Sequence, residues 1–282
     1  MNTVVYELSR ETPKSDMGDE RRSMLSRVPR RSGLADLTQE SVGYAWFPPG
    51  ALRALPDATS FAQQVLEERR LQASPDPRGF RTSDLLAAKR YEDAPAFFEL
   101  ALSDELIQVA ADYLGEIPVL SQPRLWWTKP TGPNARLGGT QMFHIGSRHR
   151  PPVLRQAKFL FNMNDVDEEN GPFTFLSAEI SDKIVAAVNY ELGEEVADEE
   201  IYRYAKPGDT MRLIGPAGTG LFVDTCRCFH FGRRASTKER LMLMIQFKRP
   251  VEMPEYDRVE RSPAFLEKFS DDPVRMLVVP EW

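Results

Sequence analysis

The sequence predicts a mainly β fold with helices: an N-terminal helical layer packed on an antiparallel sandwich or barrel, in a single domain. Two observations carry this. Before Pro118, apolar residues recur at helical spacing in two stretches. After Pro118, short runs rich in β-branched and aromatic residues alternate with Pro, Gly and Asn, and no internal repeat interrupts them.

Residues 1–40 carry mixed charge, with Arg21, Arg22, Arg27, Arg30 and Arg31 clustered and little apolar periodicity. A flexible or loosely docked arm is expected there, with the domain running over 41–282. From Pro56, the residues Phe61, Val65 and Leu66 mark a helix, and Gly79 follows the run. Over about 94–114, Phe97, Phe98, Leu102, Leu106, Ala110 and Leu114 give a broad apolar helical face, stopped by Gly115 and Pro118. Strands are expected over 119–128, 139–145, 157–163, 173–176, 210–214, 220–225 and 241–247. A helix over about 181–192 interrupts them, and 262–276 is again helical.

The 282 residues, 42 acidic and 36 basic, carry a net charge of −6 with 41% hydrophobic content, which excludes general disorder. No apolar run reaches the roughly 18–20 residues of a membrane span, and Met1–Arg10 lacks the layout of a secretory signal, so a cytoplasmic protein is expected. Mild acidity gives no whole-molecule attraction to nucleic acid or anionic lipid. Cys226 and Cys228 are expected as reduced thiols; their spacing is too short for a structural zinc pair. The glycines at 215–220 lead into a strand and not a helix, so they predict a tight turn and no phosphate loop.

Three histidines remain: His144, His149 and His230. His144 closes the run Gln141-Met142-Phe143-His144, and His230 closes a run that begins at Gly220. Two imidazoles on separate strands, each beside a loop, can converge at one end of a sandwich and suit a non-haem metal. Between and after them stand Asp165-Val-Asp-Glu-Glu-Asn-Gly-Pro-Phe173, Asp224-Thr225 six residues before His230, and Arg240 ten residues after it.

This order resembles the phytanoyl-CoA dioxygenase-like family of Fe(II)/2-oxoglutarate enzymes over roughly residues 120–250. The resemblance implies a double-stranded β-helix, or jelly roll, with N-terminal helical support. It implies His144 and His230 as iron ligands and Arg240 as the partner of the far carboxylate of 2-oxoglutarate, a task that suits a planar guanidinium better than an ammonium. Arg233, Asn162, Gln141 and Lys129 are further candidates for contact with the co-substrate. Asp224 takes a structural place in the turn before His230. Trp126, Trp127 and Phe143 are expected either in the core or on the pocket wall.

The family's proximal motif is His-x-Asp, whereas this chain has His144-Ile145-Gly146, and residues 117–164 contain no Asp or Glu. The third ligand of a two-histidine, one-carboxylate triad is therefore missing. Radical halogenases related to the family carry His-x-Gly or His-x-Ala, with chloride or bromide in the vacated position. The resemblance then implies halogenation of an unactivated carbon in a small-molecule or carrier-tethered substrate, with Gly146 as the halide position. Arg148, Arg150 and Arg155 would favour an anion nearby. The alternatives are hydroxylation or another Fe/2-oxoglutarate oxidation, His149 as a substitute ligand, and a non-catalytic family member. The usual Pro-Gly-Ser-His after the GPF motif is replaced by Ser177-Ala178-Glu179-Ile180, a further departure from the hydroxylase pattern.

Overall fold

Alternation along residues 240–248 sets the architecture. Leu241, Leu243, Ile245 and Phe247 join a core shared with the helices, while Met242 and Met244 join a second core on the opposite face. A strand packed on both sides must be apolar almost throughout, and this one is buried at all nine positions. Each large apolar side chain so buried contributes about 1.5–3 kcal/mol.

The computed structural model describes residues 16–31, 34, 42–72, 82–130, 138–146, 155–191, 193–234 and 236–282. The first half holds α1 (Asp16–Ser23), β1 (Tyr44–Phe47), α2 (Leu55–Gln72), β2 (Thr82–Ala87), α3 (Pro95–Ala101) and α4 (Asp104–Leu114). Then come β3 (Val119–Leu120), β4 (Arg124–Thr128), β5 (Ala157–Asn162), β6 (Thr174–Phe175), α5 (Ala178–Val188) and α6 (Asp198–Ile201). Last are β7 (Met211–Arg212), β8 (Gly220–Val223), β9 (His230–Phe231), β10 (Arg240–Lys248), α7 (Pro263–Phe269) and α8 (Pro273–Val278).

The larger sheet runs β1-β8-β5-β10-β4-β2, all antiparallel, with β3 also paired to β10. The smaller sheet runs β7-β6-β9 and is extended by bridges His144–His230 and Phe143–Val196. Helices cover the outer face of the larger sheet, and α5 and α6 the outer face of the smaller one. Two such sheets facing each other make the jelly roll expected from the sequence. Among the described residues, no helix is long and apolar enough to cross a membrane.

Three local differences have physical causes. The helix expected over 94–114 is two helices, because Ser103 leaves helical geometry and its hydroxyl caps the N–H of Leu106. The strand expected over 139–145 is a 3-10 turn at Gly139–Gln141 followed by the paired residues Phe143 and His144, because Gly139 enters the left-handed region at φ 58°. Strands β1, β2 and β9 escaped the sequence pattern; β9 has only two residues. Within the expected N-terminal arm, α1 is docked: buried Arg21 donates to the carbonyls of Ile117 (2.8 Å) and Leu277 (2.9 Å). Residues 1–15, 32–33 and 35–40 of that arm lie outside the described residues.

Candidate active site

Period-two alternation places both histidines. Phe143 and Ile145 pack outward with α5 and α6, so His144 between them faces inward; Phe229 and Phe231 do the same for His230. The two histidines exchange both backbone hydrogen bonds at 3.1 Å, and their ring centroids lie 4.3 Å apart. His144 Nδ1 lies 2.9 Å from the carbonyl of Met142, and His230 Nδ1 lies 2.9 Å from that of Cys228. A carbonyl only accepts, so each ring donates from Nδ1 and leaves Nε2 as its other ring nitrogen. Burial holds His230 well below its ordinary pKa of 6.5, with the charges of His144 and Lys158 adding to the effect. A carbonyl holding Nδ1 fixes the orientation of each ring, so that Nε2 is the nitrogen left for a divalent metal.

The histidines open onto a cavity of about 710 Å³ between the sheets, which Gln141, Gly146, Arg233 and Arg240 also line. Arg240 is 3% exposed and donates through Nη1 to the carbonyls of Gly171 (2.7 Å) and Gly232 (3.2 Å), while its Nε is buried without a hydrogen-bond partner. No carboxylate among the described residues pairs with it. Burial, together with nearby Arg233, lowers its pKa to about 9. Arg233 donates through Nε to Ser236 Oγ at 3.2 Å, and burial lowers its pKa to about 10. The amide Nε2 of Gln141 is also buried without a partner.

The acidic motif holds this guanidinium in place. Asp167 caps a short 3-10 turn, accepting from Glu169 N at 2.8 Å, and Asn170 returns a bond to Asp167 N at 2.8 Å. The turn ends on Gly171 at φ 62°, whose carbonyl receives Arg240. A side chain at Gly171 would also meet Arg233 Cγ at 3.0 Å.

Gly146 lies on the cavity wall at φ 72°, with its N–H bonded to the carbonyl of Thr225 at 2.7 Å. Among the described residues no cluster of three or more His, Cys, Asp or Glu side chains could hold a metal. His149, Arg148 and Arg150 lie outside the described residues. Arg155 is not on the wall; its guanidinium stacks on Tyr113 at 4.3 Å from the ring centroid.

The structure does not bring every candidate together. Asn162 is fully buried, donates to the carbonyl of Leu213 at 3.3 Å, and is not among the lining residues. Lys129 is also absent from the wall and packs over Trp127 at 4.5 Å from the ring centroid. Of the three aromatic residues, Trp126 lines the cavity, while Trp127 and Phe143 pack in cores. Two charged lining residues escaped the sequence reading as site residues, Lys158 and Glu195. Lys158 was legible, since it alternates with Phe159 and Phe161 on β5; nothing around Glu195 signals it.

Asp224 anchors the turn that delivers His230. Its carboxylate accepts from Tyr113 Oη (2.7 Å) and Cys226 N (2.8 Å), and its own carbonyl receives Cys228 N at 2.9 Å. Burial raises its pKa from 3.8 to about 6 against those hydrogen bonds. Both cysteines are buried and unbridged, and burial pushes both thiols up, so they stay protonated.

No protein-family profile matches the chain, and no curated protein matches its sequence. Solved structures do. HygX from Streptomyces hygroscopicus, with nickel and 2-oxoglutarate bound, aligns over 79% of this chain and 88% of its own at 15% identity and a TM-score of 0.52. EctD from S. alaskensis, in its apoform, aligns over 83% of this chain and 80% of its own at 17% identity and a TM-score of 0.51. These likenesses establish the shared fold, a double-stranded β-helix.

Proposed function

We propose that the cavity is the active site of an iron(II)- and 2-oxoglutarate-dependent oxidoreductase, and that its reaction is halogenation. One observation carries the reading: the imidazoles of His144 and His230 and the bare backbone of Gly146 meet on one cavity that also holds a buried arginine with no carboxylate partner. The donor set fits the co-substrate and metal. Two Nε2 atoms suit Fe(II), and the Arg240 guanidinium, with its Nε lacking an acceptor, suits a carboxylate. HygX, of the same fold, holds a divalent metal and 2-oxoglutarate together.

When bound, the metal and 2-oxoglutarate would supply the O₂-driven removal of hydrogen from a carbon. The chain's own residues do the rest. Arg240 would bind the far carboxylate, and Arg233 beside it raises the local positive potential. Gly146 leaves the carboxylate position open to chloride or bromide. Trp126, Leu160, Phe173 and Met242 give an apolar wall that excludes water around a small-molecule or carrier-tethered substrate.

A second reading is hydroxylation, with water in the position that Gly146 leaves open on the cavity wall. The two readings separate cleanly. Anaerobic addition of Fe(II) and 2-oxoglutarate gives a metal-to-ligand charge-transfer band in either case. Oxygen consumption that requires chloride or bromide supports halogenation, and a halogen-free hydroxylated product at saturating halide overturns it.

A further inference from the structure

The cavity has a second cationic side. Lys158 and Leu160 alternate on its wall, while Ala157, Phe159 and Phe161 face the helical core. Lys158 pairs in register with Gln246, six residues beyond Arg240 on β10, so the two backbone positions are about 20 Å apart along the sheet. The electrostatics agree with that separation: the charge of Lys158 acts on His230, whereas Arg240 is perturbed by Arg233. Seen from Arg240, the ammonium belongs to the imidazole end.

Lys248 lies on the same inner face of the larger sheet and is paired with Asp257 at 2.9 Å. Lys158 makes no hydrogen bond and no ion pair among the described residues. Asp224, Asp257 and Cys226 act on it only at a distance, and Lys248 opposes them. Burial dominates and lowers its pKa to about 8. Lys158 is half-buried, so its ammonium faces the cavity with only water as an acceptor, and an anion bound there would replace that water with a charged partner.

We propose that Lys158 anchors an anionic group of the substrate, a carboxylate or a phosphate, at the opposite end of the cavity from Arg240. The assignment rests on the active-site reading above in one respect, that the anion at Arg240 is 2-oxoglutarate. The substrate is then an anionic molecule whose apolar part lies along Leu160, Trp126 and Met242, with the anionic group fixing which carbon faces the histidines.

The test is competitive reductive methylation of the full chain with formaldehyde and a borane, reading the rate at Lys158 against exposed Lys183 by peptide mass spectrometry. With 2-oxoglutarate saturating, the Lys158 rate is expected to stay within about twofold. Adding inorganic phosphate or acetate is expected to slow it at least about tenfold, and whichever of the two protects identifies a phosphoryl or a carboxylate substrate. Protection by neither overturns the assignment, as does equal protection by 2-oxoglutarate alone or by bromide alone. Calorimetry with 2-oxoglutarate runs in parallel. If 2-oxoglutarate fails to bind while phosphate or acetate still protects, the Lys158 site stands and the active-site reading falls; if it binds and neither anion protects, the reverse holds. A Lys158→Met variant should abolish the heat of binding of the protecting anion, and Lys158→Arg should retain it.

Discussion

His144 and His230 stand directly opposite each other across the smaller sheet, exchanging both backbone hydrogen bonds at 3.1 Å with their rings 4.3 Å apart. A slip of one residue in this pairing would turn one imidazole into the outer apolar cluster, so the register itself sets the pair. Removing either ring should therefore abolish metal binding without unfolding the protein. His144→Ala and His230→Ala are each expected to lower Fe(II) affinity at least about a hundredfold, while apo stability falls by only about 1 kcal/mol for the lost Nδ1 hydrogen bond. Calorimetric titration and thermal unfolding, with and without Fe(II), check both halves.

Arg240 should show opposite effects on stability and binding. It is 3% exposed with no anionic partner, so Arg240→Met is expected to stabilise the apo protein by on the order of 2 kcal/mol while cutting 2-oxoglutarate affinity about a hundredfold. Arg240→Lys should keep the charge but lose the planar fork, and bind 2-oxoglutarate at least about tenfold more weakly. Denaturant unfolding and ligand titration report the two quantities separately. A destabilised Arg240→Met would contradict the buried, unpaired cation.

Gly146 holds two constraints at once, an open position on the wall and a left-handed backbone at φ 72°. Gly146→Ala is expected to cost about 1 kcal/mol of stability from the backbone alone. Gly146→Asp, a residue that tolerates this region better, should restore a carboxylate, raise Fe(II) affinity and remove the halide requirement for oxygen consumption. An Asp variant that still needs halide would count against Gly146 as the halide position.

The carboxyl of Asp224 has its pKa raised from 3.8 to about 6, chiefly by burial. The folded state thus holds a proton that the unfolded state releases over that range. Its contribution to stability is fully present below about pH 3.8 and is lost as pH rises through about 6. At about 1.4 kcal/mol per pH unit, the loss is on the order of 3 kcal/mol. Thermal unfolding followed between pH 4 and 7 should show this decline, and Asp224→Asn should flatten it.

Much of the site was legible through the order of motifs that carries the family resemblance. Gln141, His144, Gly146, His230, Arg233 and Arg240 meet on one cavity wall, and all were singled out by position in the chain. Asn162 and Lys129 were not placed on the wall, because strand register fixes which face a residue takes and register depends on the partner strand. The break between α3 and α4 was hidden by an apolar face that continues through it, although Ser103 is a capping residue in plain view. Glu195 reaches the wall from an irregular segment after α5, beyond the reach of any periodic pattern. The sheet order, which brings β5 and β10 side by side, depends on long-range pairing that local sequence does not encode.

The bond from Tyr113 to Asp224 joins the last turn of α4 to the turn that carries the second histidine. A fragment trimmed to the strands, beginning after α4, would leave that buried carboxylate without its phenol and the turn without one of its ties. The helical layer is thus part of the site's framework, and a minimal unit that keeps this site has to begin upstream of Tyr113.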